Sequence, residues 1–174
     1  MNEGGGQLSS LIWRAVGFVA TFSVLQLLWQ HSSGSRLEYF VIHTCTVRPA
    51  ALLVNVLTPA VHASASGYLL QAPGVRLNIL NGCDGLEALF LVIAAFAVAP
   101  LDWRRRLAGA ALGVPVVFAV NQARILTLFY AFRSDPSLFS TLHATVTPIA
   151  VVVLVCCYFY AWIAHPSRSV AGTA

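Results

Sequence analysis

Apolar runs of about twenty residues recur along this chain, and a helix of that length is what a hydrocarbon core of roughly 30 Å demands. Four stand out, at 11–29, 86–102, 107–132 and 144–163. Only 9% of the residues are charged and 58% are apolar, whereas a soluble domain carries about a quarter of its residues as charges. The chain therefore belongs in a bilayer, as a single membrane domain over 1–174.

The intervening segments are of a different character. Residues 1–10 are glycine-rich and polar and read as a disordered tail. The run at 11–29 reads as an uncleaved anchor, because its leading side carries only Arg14 and it is long for the apolar region of a signal peptide. Residues 30–82 hold Arg36, Glu38, Arg48 and Arg76 and are too polar to span. Within them 49–61 is apolar, but it is short and bounded by prolines, which suits an interfacial helix lying along the membrane. Residues 68–72 and 75–80 read as extended segments joined at Pro73-Gly74, a β-hairpin that delivers the chain to Cys83. The run at 107–132 exceeds a bilayer thickness and must tilt or project. The expected fold is an all-α integral membrane protein of about four transmembrane helices, with a small extracytoplasmic hairpin and an interfacial helix.

Arginine alone supplies the basic charge; there is no lysine, and the net charge is +4. The densest cluster, Arg104-Arg105-Arg106, lies between two apolar runs, which suits a cytoplasmic loop and argues against a nucleic-acid surface. Alternation then puts both termini inside and 30–81 and 133–142 outside. Arg36, Arg48, Arg76 and Arg133 run against that tally, but they are dispersed among Glu38, Asp84, Glu87 and Asp135. Cysteines at 45, 83, 156 and 157 and histidines at 31, 43 and 62 form no ligand spacing, so no metal or cofactor is expected.

The chemistry is expected where polar residues interrupt the apolar runs. Cys83, in Asn81-Gly82-Cys83-Asp84-Gly85-Leu86-Glu87, stands at the outer end of the second run, and His143 at the outer end of the fourth. Arg124 lies about 25 Å along a helix entered at Leu107, which brings it to the same side. A charge inside a span is costly and is usually kept for a partner or a function. Asn121 shares a helical face with Arg124. A helix N-terminus and a nearby cation favour a thiolate at Cys83, whereas Asp84 opposes it unless that side chain points outward to cap the helix. In this reading Cys83 is the nucleophile, His143 the general acid and base, and Arg124 the stabiliser of the oxyanion or substrate carbonyl. Glu87 is a candidate partner for Arg124 or His143. Cys156 and Cys157 lie mid-span with no base near and read as apolar filler. Cys45 could pair with Cys83 in an oxidising compartment, which would make Cys83 structural.

At these residues the sequence resembles the exosortase and archaeosortase family, and its compactness is most similar to the exosortase H subtype. The resemblance rests on Cys83 opening one span, on Arg124 in Asn121-Gln122-Ala123-Arg124 late in the next, and on His143 at the start of the one after; Asp84 stands where the family usually has serine. It implies a membrane-embedded cysteine peptidase or transpeptidase of the cell inner membrane, with its active site facing the periplasm. The implied substrates are secreted proteins carrying a C-terminal motif, a transmembrane helix and a basic tail, cleaved through a thioacyl-enzyme among membrane lipid. Two other readings of the same residues remain: a non-catalytic multi-pass subunit or scaffold, with Arg124, Asn121 and Glu87 as interhelical contacts, and a membrane thiol acyltransferase.

Overall fold

The computed structural model describes residues 3–80 and 82–165; Asn81 of the cysteine motif and Arg168 of the tail lie outside them. The protein is a bundle of helices with one small sheet. Among the described residues four helices are long and apolar enough to cross a membrane, so the chain is an all-α multi-pass membrane protein. Three of them contain the expected runs at 11–29, 107–132 and 144–163, and the fourth is 36–57 in place of 86–102.

Helix α1 covers Glu3–His31, so the disordered tail expected over 1–10 is corrected to a helix from Glu3. Helix α2 runs unbroken over Arg36–Leu57, where a shorter interfacial helix was expected. Its N-cap is Ser35, which accepts from the Glu38 N–H, and its middle, Phe40–Val47, is π-helical. That wider turn lets the helix pass Pro49: the Arg48 N–H bonds back to the His43 carbonyl, and the proline follows as an N-terminal residue of the next α-helical stretch.

Three antiparallel strands follow, β1 Ser64–Ser66, β2 Leu69–Ala72 and β3 Val75–Asn78, in the order β1-β2-β3. The hairpin expected from Pro73-Gly74 is present, with Ala72 opposite Val75 and Gly74 at φ 78°. The added strand is anchored by Asn55 of α2, whose amide accepts from the Ala63 N–H at 2.6 Å and donates to the Ala63 carbonyl at 2.8 Å. Val75 and Leu77 of β3 face inward and Arg76 and Asn78 outward, the period-two pattern of a half-buried strand.

Helix α3, Leu86–Val98, has 13 residues and so measures about 20 Å, short of the expected span over 86–102. Helix α4, Trp103–Ser134, has 32 residues and measures about 48 Å. Helix α5, Pro136–Ala164, starts well before the expected 144. Asp135 caps it through the Ser137 N–H, and a π-helical turn over Leu142–Val146 is inserted.

Because α4 is long, it serves two cores. Its first half meets Val92 and Phe96 of α3 and Val151 and Val155 of α5. Gly109 and Gly113 permit this approach, since a Cβ at Gly113 would stand 2.6 Å from Val92; such small-xxx-small spacing is how helices close up in lipid. Its second half, with Ile125 and Phe129, packs on Ile42, Val47 and Val54 of α2 and on Leu70, Val75 and Leu77 of the sheet. At the end of the bundle away from the sheet, Arg105 donates to the Trp162 and His165 carbonyls and Arg106 to the Ala97 and Leu101 carbonyls. These arginines close the C-terminal ends of α5 and α3, whose last carbonyls lack partners within the helix.

Candidate active site

Two positive-φ glycines, Gly82 at 91° and Gly85 at 87°, fold the chain between β3 and α3 so that Cys83 faces α4 and α5. The Cys83 N–H is used in this turn, donating to the Leu80 carbonyl at 2.9 Å. The Cys83 carbonyl accepts from the Asn121 amide at 3.2 Å, and a Cβ at Gly85 would stand 2.8 Å from that same amide. The seat of the cysteine therefore depends on a glycine and an asparagine in contact.

Arg124 reaches the turn from α4. Its guanidinium donates to the Gly82 carbonyl at 3.0 Å and to the Thr147 hydroxyl at 3.2 Å, and comes within 3.7 Å of the Cys83 sulfur. His143 approaches from the π-helical turn of α5, with Nδ1 at 4.0 Å from that sulfur. Its imidazole stacks on Phe139 with ring centroids 5.3 Å apart and planes 5° apart. Cys83, Arg124 and His143 are thus drawn from three elements to one point, with Asn121 beneath them.

The remaining expectations are met differently. Asp84 caps α3 through the Leu86 N–H at 3.0 Å, but it points inward and is buried, not outward. Glu87 is hydrogen-bonded to Gln26 of α1 at 3.5 Å, not to Arg124 or His143. Cys45 and Cys83 are both free thiols. Thr147 and Phe139 escaped the sequence reading; both lie one helical turn from His143 on the same helix, and that spacing was the available signal.

Burial pushes the Cys83 thiol above its ordinary range; Arg124 pulls it down, and Asp84 and Glu87 push it up. The net direction is upward, which favours the thiol over the thiolate, and His143 Nδ1 is the ring nitrogen beside the sulfur. With the Cys83 N–H already spent, the donor available to a developing oxyanion is the Arg124 guanidinium. Among the described residues no cluster could hold a metal ion. One cavity lies against Cys83 and another against its neighbours Gly82 and Arg124. The first, of about 30 Å³, lies between Cys83, His143, Phe139 and Leu128, and the second, of about 170 Å³, lies between Arg124, Gly82, α3 and α5.

The sequence model of the transmembrane exosortases matches residues 4–162. The chain belongs to that family. Exosortases are generally membrane cysteine proteases and transpeptidases that act on secreted proteins with C-terminal sorting signals. No curated protein and no solved structure matched the chain. The stretch that brings Cys83, Arg124 and His143 together lies wholly inside the exosortase match.

Proposed function

We propose that this exosortase is a cysteine peptidase and transpeptidase that cleaves C-terminal sorting signals at the periplasmic face of the inner membrane. The observation that carries the reading is the meeting of Cys83, His143 and Arg124, with the sulfur 4.0 Å from the imidazole and 3.7 Å from the guanidinium.

His143 takes the thiol proton as the sulfur attacks the scissile carbonyl carbon, and the carbonyl oxygen becomes an oxyanion facing Arg124. Collapse of that adduct breaks the C–N bond, and His143 returns the proton to the departing amine. The thioacyl-enzyme is then attacked by an amine or by water; His143 accepts the incoming proton and delivers it to the leaving sulfur. Thr147 and the Gly82 carbonyl fix the guanidinium, Phe139 fixes the imidazole, and Asn121 fixes the cysteine. Orientation follows from the arginine cluster at 104–106, which lies at the far end of α4 from this site.

The test is processing in cells of a secreted protein ending in a motif, an apolar helix and a basic tail. Cys83→Ala, Arg124→Ala and His143→Ala should each abolish cleavage at normal protein level, while Cys156→Ala, on the exposed face of α5, leaves it intact. Unchanged cleavage in Cys83→Ala would overturn the proposal and return the chain to a non-catalytic role.

A further inference from the structure

A groove of about 430 Å³ runs between α1, α3 and α5 at the end of the bundle away from the sheet. It exists because α3 is short. Pro100 drives Ala99 into extended backbone, so the helix stops at Val98 and leaves its place between Phe18 of α1 and Phe159 of α5 unfilled. Elsewhere α1 packs closely on α3, a Cβ at Gly17 standing 3.2 Å from Val98, so the space has a floor and is not a gap between separate helices. Its walls are almost wholly apolar, and among the described residues Arg14 is the one charged side chain on them.

Length and charge say what covers this groove. From Leu11 to Val19 it follows α1 for about 12 Å, less than half of a hydrocarbon core about 30 Å thick, so its occupant lies within one leaflet and is not a spanning helix. Arg14 has no hydrogen bond or ion pair among the described residues, and Asp102 nearby is spent on capping α4. The Cα–Cβ bonds of α1 tilt toward its N-terminus, which carries the guanidinium toward the near membrane surface while its stem stays on apolar walls. Trp13 and Trp103, 72% and 65% exposed, mark that surface as the level of lipid headgroups.

We propose that this groove seats one acyl chain of an anionic phospholipid, with the lipid phosphate accepting hydrogen bonds from Arg14. A planar guanidinium donates two parallel N–H bonds to phosphate oxygens, and basic pockets between spans at a membrane surface recognise anionic headgroups. Arg104, Arg105 and Arg106 lie at the same end of the bundle and add positive potential there. That potential favours a lipid of net negative charge over a zwitterionic one with the same chains. The site does not depend on the peptidase reading, because it shares no residue with the cysteine site.

The experiment is thermal unfolding of the purified full-length protein in detergent micelles doped with dioleoylphosphatidylglycerol or dioleoylphosphatidylcholine. At about ten times its Kd, the phosphatidylglycerol should raise the Tm by roughly 3–6 °C, and the phosphatidylcholine, with the same chains, by much less. Arg14→Gln should erase the difference and Arg14→Lys should keep part of it, while Arg104→Gln, which leaves the groove intact, should keep most. Ala15→Trp, which fills the groove and keeps Arg14, should lose the rise. Equal rises with the two lipids would overturn the proposal and leave the groove to any apolar chain. A difference that survives Arg14→Gln would also overturn it and assign the preference to the arginines at 104–106, and one that survives Ala15→Trp would remove the acyl-chain seat. No rise with either lipid, in a wild type that unfolds cooperatively, would overturn it and leave the groove to a helix of another chain.

Discussion

Removing the charge of Arg124 should make the Cys83 thiol harder to ionise, by an amount the geometry sets. At 3.7 Å a unit charge acting on a thiolate is worth about 4.5 kcal/mol at an effective dielectric constant of about 20. That is about 3 pKa units and forms a ceiling. Cys83 is partly exposed and solvent screens the pair, so a rise of about 1–2 units is expected for Arg124→Gln. The assay is the rate of iodoacetamide alkylation as a function of pH, on a background in which Cys45, Cys156 and Cys157 are serine. In the wild type the midpoint should lie above the ordinary thiol value of about 8.5, because burial outweighs the arginine. In Arg124→Gln it should move further up, and alkylation near neutral pH should fall about 10- to 100-fold. Arg124→Lys keeps the charge but not the fork to Gly82 and Thr147, and should fall between the two. A variant that merely unfolds would move the midpoint down toward the ordinary value, so direction separates the two causes. A midpoint in Arg124→Gln that stays put or falls in a folded protein would refute the reasoning.

Gly85→Ala places a Cβ 2.8 Å from Asn121 at φ 87° and should lower stability by about 2 kcal/mol or more, measured as a Tm drop alongside lost processing. Gly74→Ala, at φ 78° in open space, bears the backbone cost alone and should drop less. Asp84→Asn should stabilise the protein near pH 7. Burial raises the folded carboxyl above its unfolded value of about 3.9, so the charged form penalises folding as pH rises through that range, and the variant's advantage in Tm should vanish below about pH 4. Gly113→Leu forces side-chain atoms into Val92 and should cost about 1–3 kcal/mol, visible as a lower Tm with the Cys83 alkylation midpoint little changed.

Much of the site could be read from the order of the chain because its residues violate the apolar pattern. Cys83 between glycines, Arg124 late in a long span and His143 at the head of another are anomalies that a membrane tolerates only for cause. What could not be read is set by packing. The stop of α3 at Val98 did have a local signal, since Pro100 drives Ala99 into extended backbone; the unbroken run of α2 through Pro49 had none, because the π-helical stretch that carries α2 past the proline has no sequence signature of its own. The inward turn of Asp84 was equally hidden. A capping residue is ordinarily solvated, and only the arrival of α1 with Trp29, a contact distant in sequence, covers it. Glu87 was matched to the nearest cation in the expected topology, whereas the neighbour α1 supplies is the neutral Gln26.

The length of α3 sets how far the reactive sulfur stands from either membrane surface. A helix of 13 residues, held at its C-terminal end by Arg106, reaches about 20 Å into a hydrocarbon layer about 30 Å thick. With that arginine at one interface, the N-terminal end of α3 falls about 10 Å short of the other, and the Cys83 turn continues from it toward the surface that Arg124 reaches on the longer α4. The exposed Leu52, Val56 and Leu57 of α2 fit a cap that is itself seated in lipid. Bilayer thickness then acts on this exosortase as a dial: reconstitution in shorter-chain lipids brings the thiol toward water, and longer chains carry it deeper. On the proposed function, cleavage would run at different rates in membranes that differ only in the length of their acyl chains.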